Sequence, residues 1–257
     1  MIDHLFSYNS IADDYEQLFP NFQAMVPVWR NRLINIFGSE LSKKSILDVG
    51  CGIGVQSVLL SEQGFNVTAI DISDKMIEQG RRLAKKHNQN VNFILGDFTK
   101  LDTILKSNLL FDGFVCCGSA ILHISPEDIL KFGKQLYQHS NPGGKGLIEF
   151  FNWSLVESED LNWSPRSHFR TDNNESFSVE FLYKKNKKII TSIILLTRNL
   201  KNYDSWQIKS QTEFIYWKYL PLEISEIFSS IGFKILEIKE GSKEDPNSII
   251  TIEKLNT

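Results

Sequence analysis

The chain has 257 residues, 42% of them apolar and 23% charged, an ordinary globular composition that excludes wholesale disorder. Lys and Arg number 28 against 31 Asp and Glu, and the pI is near 6.0, so charge gives no support to a nucleic-acid footprint. A chain of this size forms one large domain, or one domain with an appendage, and needs no covalent staples.

Three cysteines occur, two of them adjacent (Cys116 and Cys117), with no CxxC pair and no Cys/His metal spacing. The pattern predicts a reduced, cytoplasmic protein without a metal centre. The opening stretch MIDHLFSYNSIADDYEQLF carries acids early and no apolar core, so no signal peptide is expected. The longest mostly apolar run, 189–196, is broken by Thr191 and Ser192. It falls far short of the roughly 20 residues that span a bilayer, so no membrane is expected as a partner.

From Lys44 onward, apolar runs alternate with amphipathic stretches. Residues 45–49 (SILDV) read as a buried strand that ends in glycines, and 55–63 as a helix stopped by Gly64. Residues 65–70 form a second strand with Asp71 at its end, and Ser73 caps the helix that follows. Residues 91–95 are a third strand, followed by Asp97 and Phe98, and 111–116 a fourth. Pro126 opens a helix behind Ser125. Pro142-Gly143-Gly144 is a turn into a fifth strand, 146–151. Strands alternating with helices predict a parallel sheet covered on both faces, with ligands held beyond the carboxyl ends of its strands.

After Phe151 the rhythm changes. Residues 152–176 read as loop. Phe177, Val179, Phe181 and Tyr183 then alternate with other residues, Asn186 centres a turn, and 189–198 and 205–219 are strand-like. A helix over 221–231 and strands at 233–238 and 248–252 complete the body. The expected fold is α/β: a Rossmann-like, seven-stranded, mostly parallel sheet with helices on both faces. Residues 1–151 and 221–257 make this body with an N-terminal helical cap. Residues 152–220 insert a small antiparallel sheet as a lid on the substrate side.

The strongest signal is Asp48-Val-Gly50-Cys-Gly52-Ile-Gly54. Glycines let a backbone pass close to a ligand between strand and helix. A dinucleotide site would read G-x-G-x-x-G, but Val55 or Ser57 stands at the third glycine. Asp48 would repel a pyrophosphate and attract a cationic ligand such as the sulfonium and ammonium of S-adenosylmethionine. Asp71 can accept from both ribose hydroxyls, and Asp97 from an adenine amino group.

The stretch from Ile46 to Ala84 resembles the class I S-adenosylmethionine-dependent methyltransferases, most of all their glycine/sarcosine N-methyltransferase branch. LDVGCGIGVQSVLLSEQGFNVTAIDISDKMI carries the first two motifs, FDGFVCCGSAILHI the fourth, and Pro142-Gly-Gly-Lys-Gly-Leu-Ile the fifth. The resemblance implies S-adenosylmethionine as cofactor, S-adenosylhomocysteine as product and no metal. Asp48, Gly50, Gly52 and Gly54 would hold the methionine end, Asp71 the ribose, and Asp97 with Phe98 the adenine. Ile72 and Met76 would line the adenine faces, the Cys117 backbone would lie near the amino group, and Tyr15 would close over the cofactor. The family's carboxylate-holding arginine has no clear match, with Arg30 and Arg32 the nearest.

Where glycine N-methyltransferases carry a substrate-gripping arginine, this chain has Phe151, between Phe150 and Trp153. A phenyl ring cannot pair with a carboxylate, so glycine is not the expected acceptor. Residues 150–219 hold Trp153, Trp163, Trp206 and Trp217 with Phe169, Phe177, Phe181, Tyr183, Phe214, Tyr216 and Tyr219. Such rings suit flat heterocycles and ammonium groups, although strands favour aromatics in any case. Ser119, Phe151 and Trp153 are the expected substrate contacts. His123 is a candidate general base, with a structural hydrogen-bonding role as the alternative. Arg166, His168 and Arg170 could meet an anionic group or simply face solvent.

The expected function is methyl transfer to nitrogen or oxygen of a small aromatic or heterocyclic acceptor by a monomer or homodimer. The alternatives are an amine or amino-acid N-methyltransferase, a noncatalytic S-adenosylmethionine-binding regulator, and an NAD(P)-dependent oxidoreductase.

Overall fold

The computed structural model describes residues 4–18, 22–38, 44–155, 162–170, 173–185, 188–201 and 205–255. Two helices come first, α1 (His4–Ile11) and α2 (Phe22–Phe37), joined through a 3₁₀ segment (Ala12–Leu18). The body then runs β1 (Ser45–Val49), α3 (Val55–Glu62), β2 (Asn66–Asp71), α4 (Asp74–Lys86), β3 (Val91–Leu95), α5 (Leu101–Ile104), β4 (Phe111–Cys116), α6 (Ile129–Gln138) and β5 (Ser140–Phe151). Four strands follow: β6 (Asn162–Arg170), β7 (Asn174–Lys185), β8 (Lys188–Asn199) and β9 (Gln207–Trp217). The chain returns through α7 (Pro221–Ile231), β10 (Phe233–Lys239) and β11 (Asn247–Lys254).

The main sheet has seven strands in the order β10-β11-β5-β4-β1-β2-β3. Pairings from β5 across to β3 are parallel, and β11 runs antiparallel to both neighbours. Its central strands are apolar on both sides because helices cover both faces. Ile46, Val115, Leu147 and Ile249 pack toward Leu33 of α2 and Leu59 and Leu60 of α3. Leu47, Phe114, Ile148 and Ile250 pack toward Phe132 and Leu136 of α6 and Phe228 of α7. Strand order reverses between β1 and β4, so a crevice opens at their carboxyl ends.

The expected turn at Pro142–Gly144 lies inside β5 as a bulge. Ser140 pairs with Phe111 and Lys145 with Gly113, so five residues of β5 advance against two of β4. The second sheet, β6-β7-β8-β9, is antiparallel throughout and holds one strand more than the sequence predicts. Residues expected as loop contain β6, which includes Pro165. Proline marks an interior strand as unlikely from sequence, but β6 is an edge strand with a register shift between Pro165 and Ser167. The turn centred on Asn186 lies outside the described residues.

Ile189, Thr191, Ile193 and Leu195 of β8 form one buried face of this sheet with Phe214 and Tyr216 of β9. The N-terminal segment lies against that face. Ser7 donates to the Glu213 carbonyl at 2.6 Å, and Lys209 pairs with Asp14. The register puts Leu182 and Ser178 of β7 on the same buried face, and Phe177 and Phe181 on the other. The aromatic alternation of β7 therefore faces away from the cleft. The side chains of Trp163, Arg166, Phe169 and Tyr183 lie outside the described residues.

Candidate active site

The glycine turn after β1 is built by positive backbone angles: φ is 68° at Gly50, 53° at Gly52 and 74° at Gly54. The N–H groups of Gly50 and Cys51 both donate to the Ile70 carbonyl, which ties the turn to the end of β2. Gly54 packs against α4: a Cβ there would stand 2.9 Å from the Phe93 ring and 3.5 Å from Gly80 Cα. A Cβ on Gly52 would meet nothing within 4 Å, and the same holds at Gly118 after β4. The two open backbone stretches thus lie on either side of the crevice.

Three carboxylates stand at three neighbouring strand ends. Asp48 is 2% exposed and accepts a hydrogen bond from Ser57 Oγ. Burial pushes its carboxyl up to about 7; the Ser57 bond opposes this and Asp71 adds to it. Asp71 accepts the Gly52 N–H at 2.8 Å with one oxygen and the Ser73 N–H at 2.9 Å with the other. Burial raises its carboxyl pKa, and these backbone donors only partly offset that. Asp97 accepts from the Thr99 N–H and hydroxyl and pairs with Lys100. Partial burial raises its pKa, but these partners together hold it below the usual carboxylate range. Phe98 crosses Phe132 edge-on at 5.5 Å and borders Gly50. Ile72 is half-buried, whereas Met76 has no accessible surface and packs with Ile11 and Ala12.

Ser73 caps α4 as predicted, accepting the Met76 N–H. Asn9 of α1 accepts from the Ser73 hydroxyl and donates to Asp74, so the N-terminal helix docks beside Asp71. That docking brings in Tyr8, which the sequence reading did not single out. Its hydroxyl stands 2.7 Å from His123 Nε2. His123 Nδ1 faces the Ile215 carbonyl at 3.1 Å. A carbonyl only accepts, so the neutral ring carries its proton on Nδ1 and Tyr8 donates to Nε2. Burial raises the Tyr8 pKa far above its usual value, with Tyr216, Tyr15 and Asp71 adding to the effect. The phenol therefore keeps its proton.

An aromatic wall continues from this pair. His123 lies 4.7 Å from Tyr216, Tyr216 lies 5.7 Å from Trp153, and Trp153 lies 4.5 Å from Phe151, centroid to centroid. Tyr8 also packs on Phe214 at 4.9 Å. Ser119 accepts the Phe151 N–H, which joins the ends of β4 and β5. Of the other aromatic candidates, Trp217 lies beneath Lys188 and Trp206 beneath Arg198. His168 pairs with Glu175, and Arg170 is exposed.

The two arginine candidates separate. Arg30 pairs with Glu62 on α3. Arg32 pairs with Glu149, which is 4% exposed, and both influence the Cys117 thiol. Burial raises the Glu149 pKa despite Arg32. Cys51, Cys116 and Cys117 are all buried and their thiols are pushed up, chiefly by desolvation. That suits small apolar core residues rather than reactive thiolates. No helix among the described residues is long and apolar enough to cross a membrane.

A glycine-rich turn, acids on three successive strands and this strand order define a Rossmann-like cofactor-binding enzyme. A family profile described as a methyltransferase domain matches residues 46–144. The chain is 30% identical over 196 residues to a ubiquinone biosynthesis O-methyltransferase of Rickettsia canadensis, covering 71% of this chain and 78% of that one. It is 27% identical over 154 residues to glycine N-methyltransferase of Mus musculus, covering 55% and 52%. The fold matches the CcbJ methyltransferase of Streptomyces caelestis with a TM-score of 0.77 at 15% identity, over 97% of this chain and 98% of that one. The chain belongs to the class I S-adenosylmethionine-dependent methyltransferases. Its cleft fits that cofactor: backbone is open at Gly52 and Gly118, and a buried carboxyl stands at Asp48, held by the hydroxyl and backbone N–H of Ser57.

Proposed function

We propose that this enzyme methylates a nitrogen or oxygen of a small molecule that carries an aromatic or heterocyclic ring. The wall of Phe151, Trp153 and Tyr216 beside the Tyr8–His123 pair carries the reading. A flat ring stacks on such faces, and its substituent then lies near a proton-accepting pair. The relative named for O-methylation in ubiquinone biosynthesis supports oxygen as one target atom.

Asp48 and the glycine turn take the methionine end of the cofactor, Asp71 its ribose, and Asp97 with Phe98 and Ile72 its adenine. The Cys117 backbone faces the cofactor's amino group, and Tyr15 covers it from the N-terminal cap. Arg32, rather than Arg30, is the arginine near that end, because its partner Glu149 neighbours Cys117. Residues 152–220 act as a lid, with the β8–β9 face closing over the acceptor.

S-adenosylmethionine, when bound, supplies a methyl group already activated on a sulfonium, and S-adenosylhomocysteine is left after transfer. Phe151, Trp153 and Ser119 align the acceptor, which is a large part of catalysis for a direct displacement. A neutral amine attacks without prior loss of a proton, whereas a hydroxyl must lose one. Tyr8 takes that proton on its oxygen while passing its own to His123 Nε2. The resulting imidazolium is held through Nδ1–H by the Ile215 carbonyl.

The raised Asp48 pKa makes cofactor binding depend on pH. A cationic ligand favours ionised Asp48, and the free protein holds the proton up to about 7. Affinity for S-adenosylmethionine should therefore fall about tenfold from pH 7.5 to pH 6, with a proton released on binding at the lower pH. Calorimetry in buffers of different ionisation enthalpy reads both quantities. A pH-independent affinity with no proton release would remove Asp48 from the cofactor's cationic end.

The acceptor reading is tested with methyl-labelled S-adenosylmethionine and a panel of catechols, phenols, heteroaromatic amines, glycine and sarcosine. Ring acceptors should be labelled and the two amino acids should not, since Phe151 stands at the arginine position. Labelling of glycine or sarcosine alone would overturn the reading.

A further inference from the structure

Three consecutive residues of α1 reach three different parts of the molecule. Ser7 donates to the Glu213 carbonyl of β9 at 2.6 Å, and its own carbonyl accepts from Thr212 at 3.3 Å. Tyr8 bonds His123 Nε2, beyond the end of β4, at 2.7 Å. Asn9 bonds Ser73 and Asp74 at the start of α4. Successive residues of a helix stand about 100° apart around its axis, so one short helix faces the second sheet, His123 and the end of β2 at once. An eight-residue helix does not hold its own shape in water, so its contacts decide how α1 sits.

The Asn9 amide makes a defined pair of bonds. A carboxylate only accepts, so the amide nitrogen faces Asp74, at 2.8 Å, and the amide oxygen accepts from the Ser73 hydroxyl. Ser73 is itself fixed. It is 0% exposed, its hydroxyl accepts the Met76 N–H, and its own N–H is held by Asp71. A second tie to α4, from Gln79 to Asp13, lies one turn further on at the surface.

The Tyr8 ring lies 4.9 Å from Phe214 and meets the His123 ring edge-on at 5.5 Å. Ring packing tolerates sliding, whereas the hydroxyl must stay within hydrogen-bond reach of Nε2. The outer edge of a helix lies about 6 Å from its axis, so a roll of about 10° moves a side chain by roughly 1 Å. A misplacement of that size in a catalytic group can cost about 10²-fold in rate.

We infer that Asn9 is a positioning residue: by fixing the roll of α1 against α4 it holds the Tyr8 hydroxyl on His123. This role rests on the Tyr8–His123 relay proposed above. It also ties the relay to the cofactor side of the cleft, because Asp71 holds Ser73 by its backbone while Asn9 holds it by its side chain.

Asn9→Ala is compared with Asp13→Ala, which breaks the second tie to α4 without touching Ser73. Nitrogen NMR of His123 in the S-adenosylhomocysteine complex reads the placing of Tyr8 without any acceptor. Asn9→Ala should lose the Nε2 hydrogen bond as Tyr8→Phe does, and Asp13→Ala should keep it. Asn9→Asp sets two carboxylates against each other and should lose it too. Adding Asp74→Asn puts a donor opposite the new carboxylate and should bring the bond back. With a phenol as probe, kcat in Asn9→Ala should fall roughly tenfold or more, and with a heteroaromatic amine several-fold at most. An unchanged His123 signal in Asn9→Ala, an equal loss in Asp13→Ala, or no recovery in the paired variant would overturn the positioning role. A lost Nε2 bond with phenol turnover intact would support Asn9 as the residue that places Tyr8 and would refute the relay instead.

Discussion

Asp71→Ala is expected to weaken S-adenosylmethionine binding by far more than tenfold, on the order of a hundredfold, in calorimetry at neutral pH. Two losses combine. Hydrogen bonds to a charged group contribute roughly 1.5–3 kcal/mol each, and a ribose offers two donors. The same carboxylate also holds the Gly52 and Ser73 N–H groups, so its removal loosens the glycine turn and the start of α4 together. Asp71→Asn separates the two effects. Its amide oxygen can still accept one backbone N–H, but its amide nitrogen only donates. The asparagine variant should therefore keep more of the thermal stability than alanine while still binding weakly. Unchanged cofactor affinity in either variant would sink the ribose assignment.

Those backbone bonds also explain why this part of the fold was legible in the sequence. The elements from β1 to α4 follow from local chemistry: glycines where φ is positive, a serine cap, and acids at strand ends. Helix α7 was legible for the same reason, with Pro221 at its start and Gly232 at φ 117° after its end. Strand β6 was not, because Pro165 and a polar composition argue against a strand unless the strand is known to be an edge. The bulge in β5 was hidden likewise, since Pro142-Gly143-Gly144 has turn chemistry and only its neighbour β4 turns it into an irregular strand.

The candidate site divides along the same line. Asp48, Asp71 and Asp97 could be placed because each ends its own strand. Arg30 and Arg32 could not be told apart, because the deciding partner of Arg32 is 117 positions away in sequence. Tyr8 was passed over although it lies two helical turns before Tyr15. Nothing near it in sequence foretells a bond to His123, 115 positions on. The aromatic strand residues misled in the opposite direction. In β7 Phe177 and Phe181 alternate with Ser178, Glu180 and Leu182, yet Ser178 is 0% exposed and the phenylalanines face away. Period-two alternation fixes which residues share a face, and only packing decides which face is covered.

That long-range pair governs the second large effect. Tyr8→Phe and His123→Ala should each lower kcat for a phenolic acceptor by about 10²-fold or more, within the range of general-base contributions. Turnover of a heteroaromatic amine should change several-fold at most, because no proton need leave before attack. The two substitutions share one relay, so the double variant should be little worse than either alone. An independent readout is the ring itself: in Tyr8→Phe, nitrogen NMR of His123 should register loss of the hydrogen bond at Nε2 while Nδ1 stays protonated toward Ile215. His123→Asn sharpens the distinction between base and scaffold, since an amide can bridge Tyr8 and the carbonyl but cannot take up a proton. Rescue of phenol methylation by asparagine would make His123 a structural bridge, as would equal losses on phenol and amine. Loss confined to the hydroxyl acceptor assigns the proton to Tyr8 and His123, and leaves alignment by Phe151 and Trp153 as the part of catalysis common to both substrates.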